Sequence, residues 1–282
     1  MNDRPIGFGV VGLGFGYGHC RRIQQVEGAV LVAVSDLSRE RGEKASAEFG
    51  VPWYAEYEAM LQREDLDVVV IATPSGLHGQ LGAMAARYGK HVISEKPLEV
   101  TTQKAEELID ACRSAGVRLA VNYPLRFYPD LRRTKVLLTE GRLGRILLAE
   151  ARLKWYRSQE YYDGAGWRGT WSLDGGGALM NQTIHQIDLL QWLVGKVSRL
   201  MGHYETINHA IETEDLGLGL LKFESGAVGT VLGTTACNPD MGTEIIVHGT
   251  AGTVILRNDQ LASVHIDGVD DPVAYFNSIP LD

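Results

Sequence analysis

The sequence predicts an α/β domain with a doubly wound parallel sheet, followed by an α+β domain with an open, mainly antiparallel sheet. Two observations predict the first domain. Short apolar runs rich in β-branched residues recur along residues 1–122, and charged segments of helical length separate them. A third observation predicts the second domain, residues 123–282, because glycine-rich turns separate its strand-like runs.

The strand-like runs of the first domain are IGFGVVGLG, LVAVSD, DVVVIATP, KHVISEKP and VRLAVNY. They are apolar almost throughout, as expected for strands that are buried on both faces of a parallel sheet. The intervening segments LSRERGEKASAEFG and TTQKAEELIDACRSAG have the composition of surface helices, and Gly50 and Gly116 are positioned to end them. This βαβαβ alternation is typical of a doubly wound fold.

The second domain begins with a linker, YPLRFYPDLRR, and a helix. RILLAEARLKWYR and a loop rich in Tyr, Trp and Gly follow. The later strand-like runs are LMGHYETIN, LGLGLLKFE, AVGTVLGTTAC, TEIIVHG and GTVILRN. Their spacing and turns predict an antiparallel sheet.

Composition excludes several classes of protein. The 282 residues are 45% hydrophobic and 22% charged, with a net charge of −8 and no dense run of Lys and Arg, so we expect neither disorder nor nucleic-acid binding. No window is apolar enough to span a membrane, and the three cysteines lack CxxC spacing. We expect a cytoplasmic protein without a membrane partner or a metal site.

A glycine-rich turn follows the first strand-like run. Gly12 and Gly14 fit the first two glycines of the dinucleotide fingerprint GxGxxG, but its third position holds Tyr17, which lies beside Gly16. Any tight strand-to-helix turn favours glycine, so the turn alone leaves cofactor binding and a purely structural role equally open.

Asp36 ends the second strand-like run, 22 residues after Gly14. This is close to the spacing of the acid that accepts hydrogen bonds from an adenosine ribose. The other interpretation is a helix N-cap, a role that Ser38 would fill equally well. A carboxylate here would repel a 2′-phosphate, so NAD is favoured; NADP stays possible because Arg39 is near enough to offset the charge.

Two further turns follow the third and fourth strand-like runs. Thr73, Pro74 and His78 lie in TPSGLH, and Glu95 and Lys96 lie in EKP. The carboxyl ends of parallel strands are where open α/β sheets bind ligands. A capped helix start explains the first turn equally well, and a surface ion pair is the alternative for the second.

Together these motifs resemble those of the Gfo/Idh/MocA oxidoreductases, named from glucose-fructose oxidoreductase and inositol dehydrogenase. The resemblance rests on GLGFGYGH, TPSGLH, GKHVISEKPL, RFYP, GRLGRI and WRGTWSLDGGGALMNQTIHQID, in that order. The combination of EKP with GGGxLxxxxxH is highly specific. It implies a Rossmann domain followed by a substrate-binding and oligomerisation domain, and hydride transfer between a nicotinamide and a secondary alcohol carbon of a sugar, inositol or related molecule.

The resemblance also implies roles for individual residues. Lys96 matches the family's active-site lysine and His185 its catalytic histidine, while Asn181 stands where many members carry Asp. We expect His185 to act as general base, Lys96 to polarise the reacting hydroxyl and Asn181 to position the sugar. Pro97 is expected to follow a cis peptide bond. The residues expected to bind the cofactor are Gly12, Gly14, Phe15, Gly16, Tyr17, Asp36, Thr73, Pro74, His78, Glu95 and Lys96.

The segment YYDGAGWRGTWSLDGGGALMNQTIHQIDLLQWL most resembles the branch that oxidises UDP-N-acetylglucosaminuronate at C3. This implies that Tyr162, Trp167 and Arg168 bind an anionic nucleotide sugar together with Lys96, Asn181 and His185. The alternative is that the aromatic residues cover the sheet or form a subunit contact. By analogy with the family, a homodimer or homotetramer would use an exposed sheet face of the second domain.

Other functions stay open at this point. The alternatives are an inositol or simple sugar dehydrogenase, an NAD-using glycosidase or lyase that oxidises C3 transiently, and a non-catalytic ligand sensor. Family members usually continue with a helix and a closing stretch where this chain ends in FNSIPLD. We therefore expect either a naturally short chain or an incomplete C-terminus.

The segment DGGGALMNQTIHQID predicts a helix that is packed between layers. Asn181, His185 and Asp188 share one face at about 100° per residue. The glycines of 175–177 would allow close backbone approach where this helix begins. We expect Asp188 to be structural, orienting His185 or a neighbouring backbone group.

Overall fold

The computed structural model describes residues 4–281, which form two compact units. The first unit comprises residues 4–122 and 172–175, and the second comprises 123–171 and 176–281. The tetrapeptide 172–175 thus belongs with the first unit, although it lies within the sequence range predicted for the second domain.

The first unit contains six parallel strands in the order β3-β2-β1-β4-β5-β6. They are β1 (Ile6–Val11), β2 (Ala29–Ser35), β3 (Trp53–Tyr54), β4 (Val68–Ile71), β5 (His91–Ser94) and β6 (Leu119–Val121). This is the strand order of the Rossmann fold, so the prediction of a doubly wound parallel sheet is confirmed. The edge strand β3 was not predicted, because two residues are too few for a periodic signal.

Five α-helices cover this sheet: α1 (Gly16–Ile23), α2 (Arg39–Phe49), α3 (Tyr57–Leu61), α4 (His78–Arg87) and α5 (Thr102–Ser114). The Ser38 hydroxyl caps α2 by accepting the Arg41 N–H, and Gly50 ends it at φ 68°. Gly116, also at φ 68°, follows α5. Both glycines adopt the left-handed conformation that they were predicted to supply.

The second unit contains seven strands in the order β13-β12-β11-β7-β10-β9-β8. They are β7 (Ile146–Lys154), β8 (Val197–Glu205), β9 (Leu216–Phe223), β10 (Val228–Thr234), β11 (Gly242–Gly249), β12 (Gly252–Arg257) and β13 (Gln260–Ile266). Every neighbouring pair is antiparallel except β7 and β10, so the prediction of a mainly antiparallel sheet is confirmed. The strand β13, with the sequence QLASVHI, was not predicted.

Helices α6 (Pro129–Thr139), α8 (Ile184–Val194) and α9 (Pro272–Ser278) contribute to the core of this unit, and α7 (Gln159–Asp163) lies between β7 and α8 in the chain. Leu131, Leu189 and Phe276 are buried against the sheet residues Ala151 and Val254. The exposed residues of β8, β9 and β10 include Met201, Leu218, Leu220 and Val228, which lie on the other sheet face.

The predicted helix through Asn181 and His185 is not continuous. Residues Ala178–Gln182 form a π-helical turn, and α8 begins only at Ile184. A wider turn changes the angular spacing of side chains, so a single helical wheel does not describe this segment.

No helix within residues 4–281 has both the length and the apolar character that a membrane span requires.

Candidate active site

The glycine-rich turn between β1 and α1 is crowded at its first glycine, Gly12, and open at its second, Gly14. Gly12 has a φ of 88°, and a Cβ there would lie 2.7 Å from the carbonyl carbon of Ala72. Gly14 is exposed, and nothing lies within 4 Å of the position that its Cβ would take. The turn therefore requires glycine at the first position and leaves open space at the second, which fits a bound pyrophosphate.

The role of the third fingerprint glycine is filled by Gly16, one residue before the position that the sequence pattern indicates. A Cβ on Gly16 would lie 2.8 Å from Cγ1 of Val10, so this glycine permits close packing of α1 on β1. Tyr17 instead donates its hydroxyl to Glu48 and packs on Phe49 with ring centroids 5.1 Å apart. Because the Tyr17 side chain packs against α2, we no longer expect it to contact the dinucleotide.

Phe15 and His19 lie next to one another at the start of α1. The Phe15 ring is 64% exposed and meets the His19 ring at 5.8 Å in an edge arrangement. The Nε2 of His19 is 2.7 Å from Oε1 of Glu95. This contact joins the glycine-rich turn to the end of β5, and no local sequence pattern indicated it.

Asp36 is buried at the end of β2, where its carboxylate has several donors. Its oxygens accept the N–H groups of Leu13 and Ser38, both at 2.7 Å. Arg41 adds two more hydrogen bonds at 2.9 and 3.1 Å. The charge of Asp36 is thus offset by Arg41 and not by Arg39, the residue considered from the sequence, which pairs with Glu43 at 2.7 Å.

Burial would raise the pKa of Asp36, but the hydrogen bonds from Arg41, Ser38 and Leu13 outweigh it and hold the pKa below the usual value. The carboxylate is therefore ionised near neutral pH. This charge state suits an acceptor of ribose hydroxyls.

The TPSGLH segment follows β4 and begins α4. His78 is buried, with Nε2 2.9 Å from the Thr73 carbonyl oxygen and Nδ1 2.8 Å from the Pro97 carbonyl oxygen. Pro74 immediately precedes a 3-10 turn, Ser75–Leu77. Because both ring nitrogens face backbone carbonyls, we now expect His78 to position this turn and the EKP segment, and not to contact the cofactor.

Glu95 is buried at the end of β5 and accepts three hydrogen bonds. Its Oε1 lies 2.7 Å from His19 Nε2 and 2.6 Å from Asn122 Nδ2, and its Oε2 accepts the Lys96 N–H at 3.3 Å. Burial alone would raise the pKa of Glu95, but the bonds from His19 and Asn122 hold it below the usual value. Glu95 thus provides a negative charge next to Lys96.

The peptide bond between Lys96 and Pro97 is cis, as predicted. Burial lowers the pKa of the Lys96 ammonium, and the charges of Glu95 and Asp174 offset part of that decrease. A lysine with a lowered pKa exchanges a proton more readily near neutral pH than an exposed one.

In the second unit, the residues before Asn181 are packed against Glu214. The Glu214 carboxylate accepts the N–H groups of Gly177 and Leu179 at 2.9 and 2.8 Å. A Cβ on Gly177 would lie 1.9 Å from the Glu214 carbonyl oxygen, which confirms the predicted close backbone approach. Sequence reasoning missed Glu214, because 33 residues separate it from Asn181.

Asn181 and His185 are both partly buried, and each contacts a neighbouring side chain. The Asn181 Oδ1 accepts a hydrogen bond from Gln182 Nε2 at 2.8 Å. The His185 ring meets the Tyr123 ring edge-on, with centroids 5.9 Å apart and planes at 86°. Tyr123 was not among the predicted site residues, although it is the first residue of the linker YPLRFYPDLRR.

Asp188 pairs with Arg126 and not with His185. The Arg126 Nε donates to Asp188 Oδ2 at 2.8 Å, and its Nη2 donates to Oδ1. The Arg126 guanidinium also lies 5.8 Å from the centroid of the Tyr123 ring. This pairing agrees with the prediction that Asp188 is structural. Asp188 holds Arg126 of the linker, however, and does not orient His185 directly as suggested.

Aromatic rings and guanidinium groups alternate beside this segment. The Tyr161 ring has Arg168 at 4.2 Å and Arg157 at 5.3 Å from its centroid. Arg157 also lies 4.8 Å from the Trp155 ring, and Arg168 lies 5.6 Å from the Trp167 ring. We call these five residues the Arg-aromatic cluster. Sequence reasoning identified Trp167 and Arg168 but missed Arg157.

Tyr162 is buried, contrary to the expectation that it contacts substrate. Its hydroxyl is 2.7 Å from Thr235 Oγ1, and its ring packs on His209 with centroids 4.9 Å apart. His209 Nδ1 in turn contacts the fully buried Asp215 carboxylate at 2.9 Å. Tyr162 therefore belongs to a packed structural cluster.

Comparison with known proteins adds to this geometry. Residues 6–123 match the family model described as "Oxidoreductase family, NAD-binding Rossmann fold", and residues 131–255 match the GFO/IDH/MocA C-terminal domain. The chain belongs to the Gfo/Idh/MocA oxidoreductase family. It is an NAD-dependent sugar oxidoreductase, so the predicted family, enzyme class and cofactor are confirmed.

Several members of this Gfo/Idh/MocA family are similar to the chain over most of its length. The scyllo-inositol 2-dehydrogenase (NAD(+)) of Bacillus subtilis is 28% identical over 96% of this chain and 79% of its own length. The 1,5-anhydro-D-fructose reductase of Ensifer adhaerens is 31% identical over 82% of this chain and 69% of its own length. The WlbA dehydrogenase of Bordetella pertussis, solved with NADH and UDP-GlcNAcA, superimposes with a TM-score of 0.93 at 36% identity, covering 98% of this chain and 82% of that one.

Proposed function

We propose that this enzyme oxidises the C3 hydroxyl of a UDP-N-acetylhexosaminuronate, with Lys96, Asn181 and His185 acting on the substrate. The observation that carries the proposal is the pair of guanidinium groups in the Arg-aromatic cluster. Arg157 donates to the Tyr156 carbonyl and to Gln182, and Arg168 donates to the Tyr161 carbonyl. Within residues 4–281 neither forms an ion pair with a carboxylate, although Arg is usually paired or solvated.

Two guanidinium groups without a carboxylate partner, both close to a tyrosine ring, suit an anionic ligand that also has a flat group. A nucleotide sugar has a diphosphate and a base, and a uronate adds a carboxylate. Guanidinium groups bind phosphate and carboxylate with two parallel hydrogen bonds, while Tyr and Trp rings stack on a base. An inositol or simple sugar has no charge for these groups to bind. The likeness to WlbA, which was solved with UDP-GlcNAcA, supports the same substrate class.

The residues of the glycine-rich turn and Asp36 would hold NAD, because Gly14 leaves open space and Asp36 is an ionised acceptor. Bound NAD supplies the hydride acceptor. Lys96 would donate a hydrogen bond to the reacting hydroxyl and stabilise negative charge on its oxygen. His185 would accept the hydroxyl proton as C–H bond cleavage proceeds, and Asn181 would orient the substrate.

The test is the rate of NADH formation, followed by absorbance, with three substrates at equal concentration. UDP-N-acetylglucosaminuronate, UDP-N-acetylglucosamine and myo-inositol differ in carboxylate and nucleotide. We expect the highest kcat/KM with the first, and a rise in its KM of about tenfold or more for Arg157→Met and Arg168→Met, since each removes a charge-assisted bond. Arg113→Met, which removes an exposed arginine of α5 that pairs with Asp110, is the control.

Equal kcat/KM for the uronate and for myo-inositol would contradict the nucleotide-sugar proposal. Product release without net NADH would instead identify transient oxidation followed by elimination. Tight binding of both NADH and the uronate without any product would identify a ligand sensor.

We also propose that the enzyme is a homodimer or homotetramer in which a second copy covers the exposed face of β8, β9 and β10. In the sheet register Met201 is paired with Leu220, and both side chains are exposed. A flat apolar face of this kind is self-complementary in a two-fold contact. Light scattering after size exclusion should show a mass above the monomer for the wild type and a decrease for Leu220→Glu; a monomeric wild type contradicts the proposal.

A further inference from the structure

The carboxylate of Asp36 has its hydrogen-bonding capacity filled by this chain's own donors. Oδ2 accepts the Leu13 N–H at 2.7 Å and Arg41 Nε at 3.1 Å. Oδ1 accepts the Ser38 N–H at 2.7 Å and Arg41 Nη2 at 2.9 Å. A carboxylate offers about four lone-pair positions. In this arrangement a ribose hydroxyl can bond to Asp36 only if one of the four donors leaves.

The four donors are not equally able to leave. The N–H groups of Leu13 and Ser38 belong to the backbone, the first in the glycine-rich turn and the second at the N-cap of α2. Arg41 reaches Asp36 through a long side chain that is 55% exposed. Water can solvate the exposed guanidinium once it separates, and ribose hydroxyls would replace its hydrogen bonds to the buried carboxylate. Arg41 is therefore the donor that a ligand can displace.

We propose that Arg41 occupies the position of the adenosine ribose on Asp36, and that the dinucleotide displaces it. The displaced guanidinium stays attached to the first turn of α2, within side-chain reach of the ribose 2′ position. There it would pair with a 2′-phosphate, which Asp36 alone would repel. Arg41 thus narrows the preference for NAD over NADP. The inference rests on the proposed role of Asp36 as the ribose acceptor.

Arg39 provides a matched control on the same helix. It lies two residues before Arg41 and has the same charge, but its side chain is 81% exposed and pairs with Glu43 four residues later. Removing Arg39 deletes a positive charge from the same helical turn without freeing Asp36. An effect seen for Arg41 and not for Arg39 therefore comes from the bonds of Arg41 with Asp36 and from its proximity to the ribose 2′ position, and not from the change in net charge.

The test measures Kd for NADH and for NADPH by fluorescence titration, with no substrate present. For Arg41→Ala we expect the Kd of NADPH to rise and the Kd of NADH to stay level or fall. The ratio of the Kd of NADPH to the Kd of NADH should increase by about tenfold or more, because a charge-assisted contact to phosphate is lost. Arg39→Ala should leave the ratio within about twofold of wild type. Arg41→Lys should be intermediate, since it keeps the charge without the planar fork.

An unchanged ratio in Arg41→Ala, or equal weakening of both dinucleotides, would overturn the proposal. Asp36→Ser separates this from failure of the ribose site. If Asp36→Ser weakens NADH and Arg41→Ala leaves the ratio unchanged, only the inference on Arg41 is wrong. If Asp36→Ser leaves the Kd of NADH unchanged, the ribose-acceptor role itself is wrong. Thermal melting midpoints within a few degrees of wild type would establish that each variant is folded.

Discussion

The imidazole ring of His185 and the phenol ring of Tyr123 meet edge-on, with centroids 5.9 Å apart and planes at 86°. Aromatic pairs with this geometry are favourable because the positive edge of one ring faces the negative face of the other. Tyr123 is in turn flanked by Arg126, whose guanidinium is held by Asp188. The linker between the two units thus contributes a ring that orients the proposed general base.

We predict that Tyr123→Ala lowers kcat by about tenfold or more, because a catalytic ring that loses its orientation spends less time in the reactive geometry. Tyr123→Phe keeps the ring and should retain most of the activity. Burial raises the pKa of Tyr123 to about 12, so no ionisation of this phenol should occur in a pH–rate profile measured up to pH 10. Equal loss of kcat in both variants would assign the effect to the hydroxyl.

Lys96 and His185 should both be required for turnover, and His185 should not be required for binding of the dinucleotide. We predict that Lys96→Met and His185→Ala each lower kcat by about a hundredfold or more, the usual contribution of a positioned acid or base. The Kd of NADH, measured by fluorescence, should change little for His185→Ala. Near-normal turnover in either variant would remove that residue from the proposed mechanism.

Asp215 should stabilise the second unit in a pH-dependent manner. Burial would raise the pKa of Asp215, but hydrogen bonds from Ile207, Asn208 and His209 hold it below its ordinary value of 3.8. A lowered folded pKa means that the stabilisation is complete above the unfolded value and is lost as the pH falls through the folded one.

Asp215→Asn should therefore lower the free energy of unfolding by about 3 kcal/mol at pH 7, because three backbone N–H groups and the His209 ring lose their buried, charged acceptor. Urea unfolding at pH 7 and at pH 3 measures this, and the difference from wild type should be smaller at pH 3. Asp267→Asn, which alters an exposed pair with His265, is the control. A difference that does not depend on pH would contradict the electrostatic origin.

Gly16 should be intolerant of alanine, whereas Gly18 on the same helix should accept it. A Cβ on Gly16 would lie 2.8 Å from Val10 Cγ1, while the nearest atom to a Cβ on Gly18 is Arg22 Nη1 at 3.6 Å. Overpacking typically costs about 1–3 kcal/mol. We predict a lower melting temperature and weaker NADH binding for Gly16→Ala only. Equal behaviour of the two variants would contradict the packing role of Gly16.

The sequence was informative where the signal is local. Continuous apolar runs predicted the strands of the parallel sheet other than β3, and glycines with positive φ marked the ends of α2 and α5. The cis bond before Pro97 was expected from the family motif alone. The strand β3 was missed because two residues are too few to have a periodic pattern of their own.

Contacts between distant residues could not be predicted in the same way. Tyr17 occupies the position of the third glycine in the sequence pattern, yet Gly16 makes the close approach, because the path of α1 decides which residue faces β1. Tyr162 was expected to contact substrate, but its hydroxyl is bonded to Thr235, 73 residues later.

The sequence by itself determined the two kinds of sheet, the family and the chemical types of residue available for catalysis. Periodicity and turn preferences depend on near neighbours, and the motif residues can be read without coordinates. The tertiary structure decided which partner each charged group has: Arg41 for Asp36, His19 and Asn122 for Glu95, and Arg126 for Asp188. These pairings depend on which strands and helices become neighbours, and burial then makes each unpartnered charge costly.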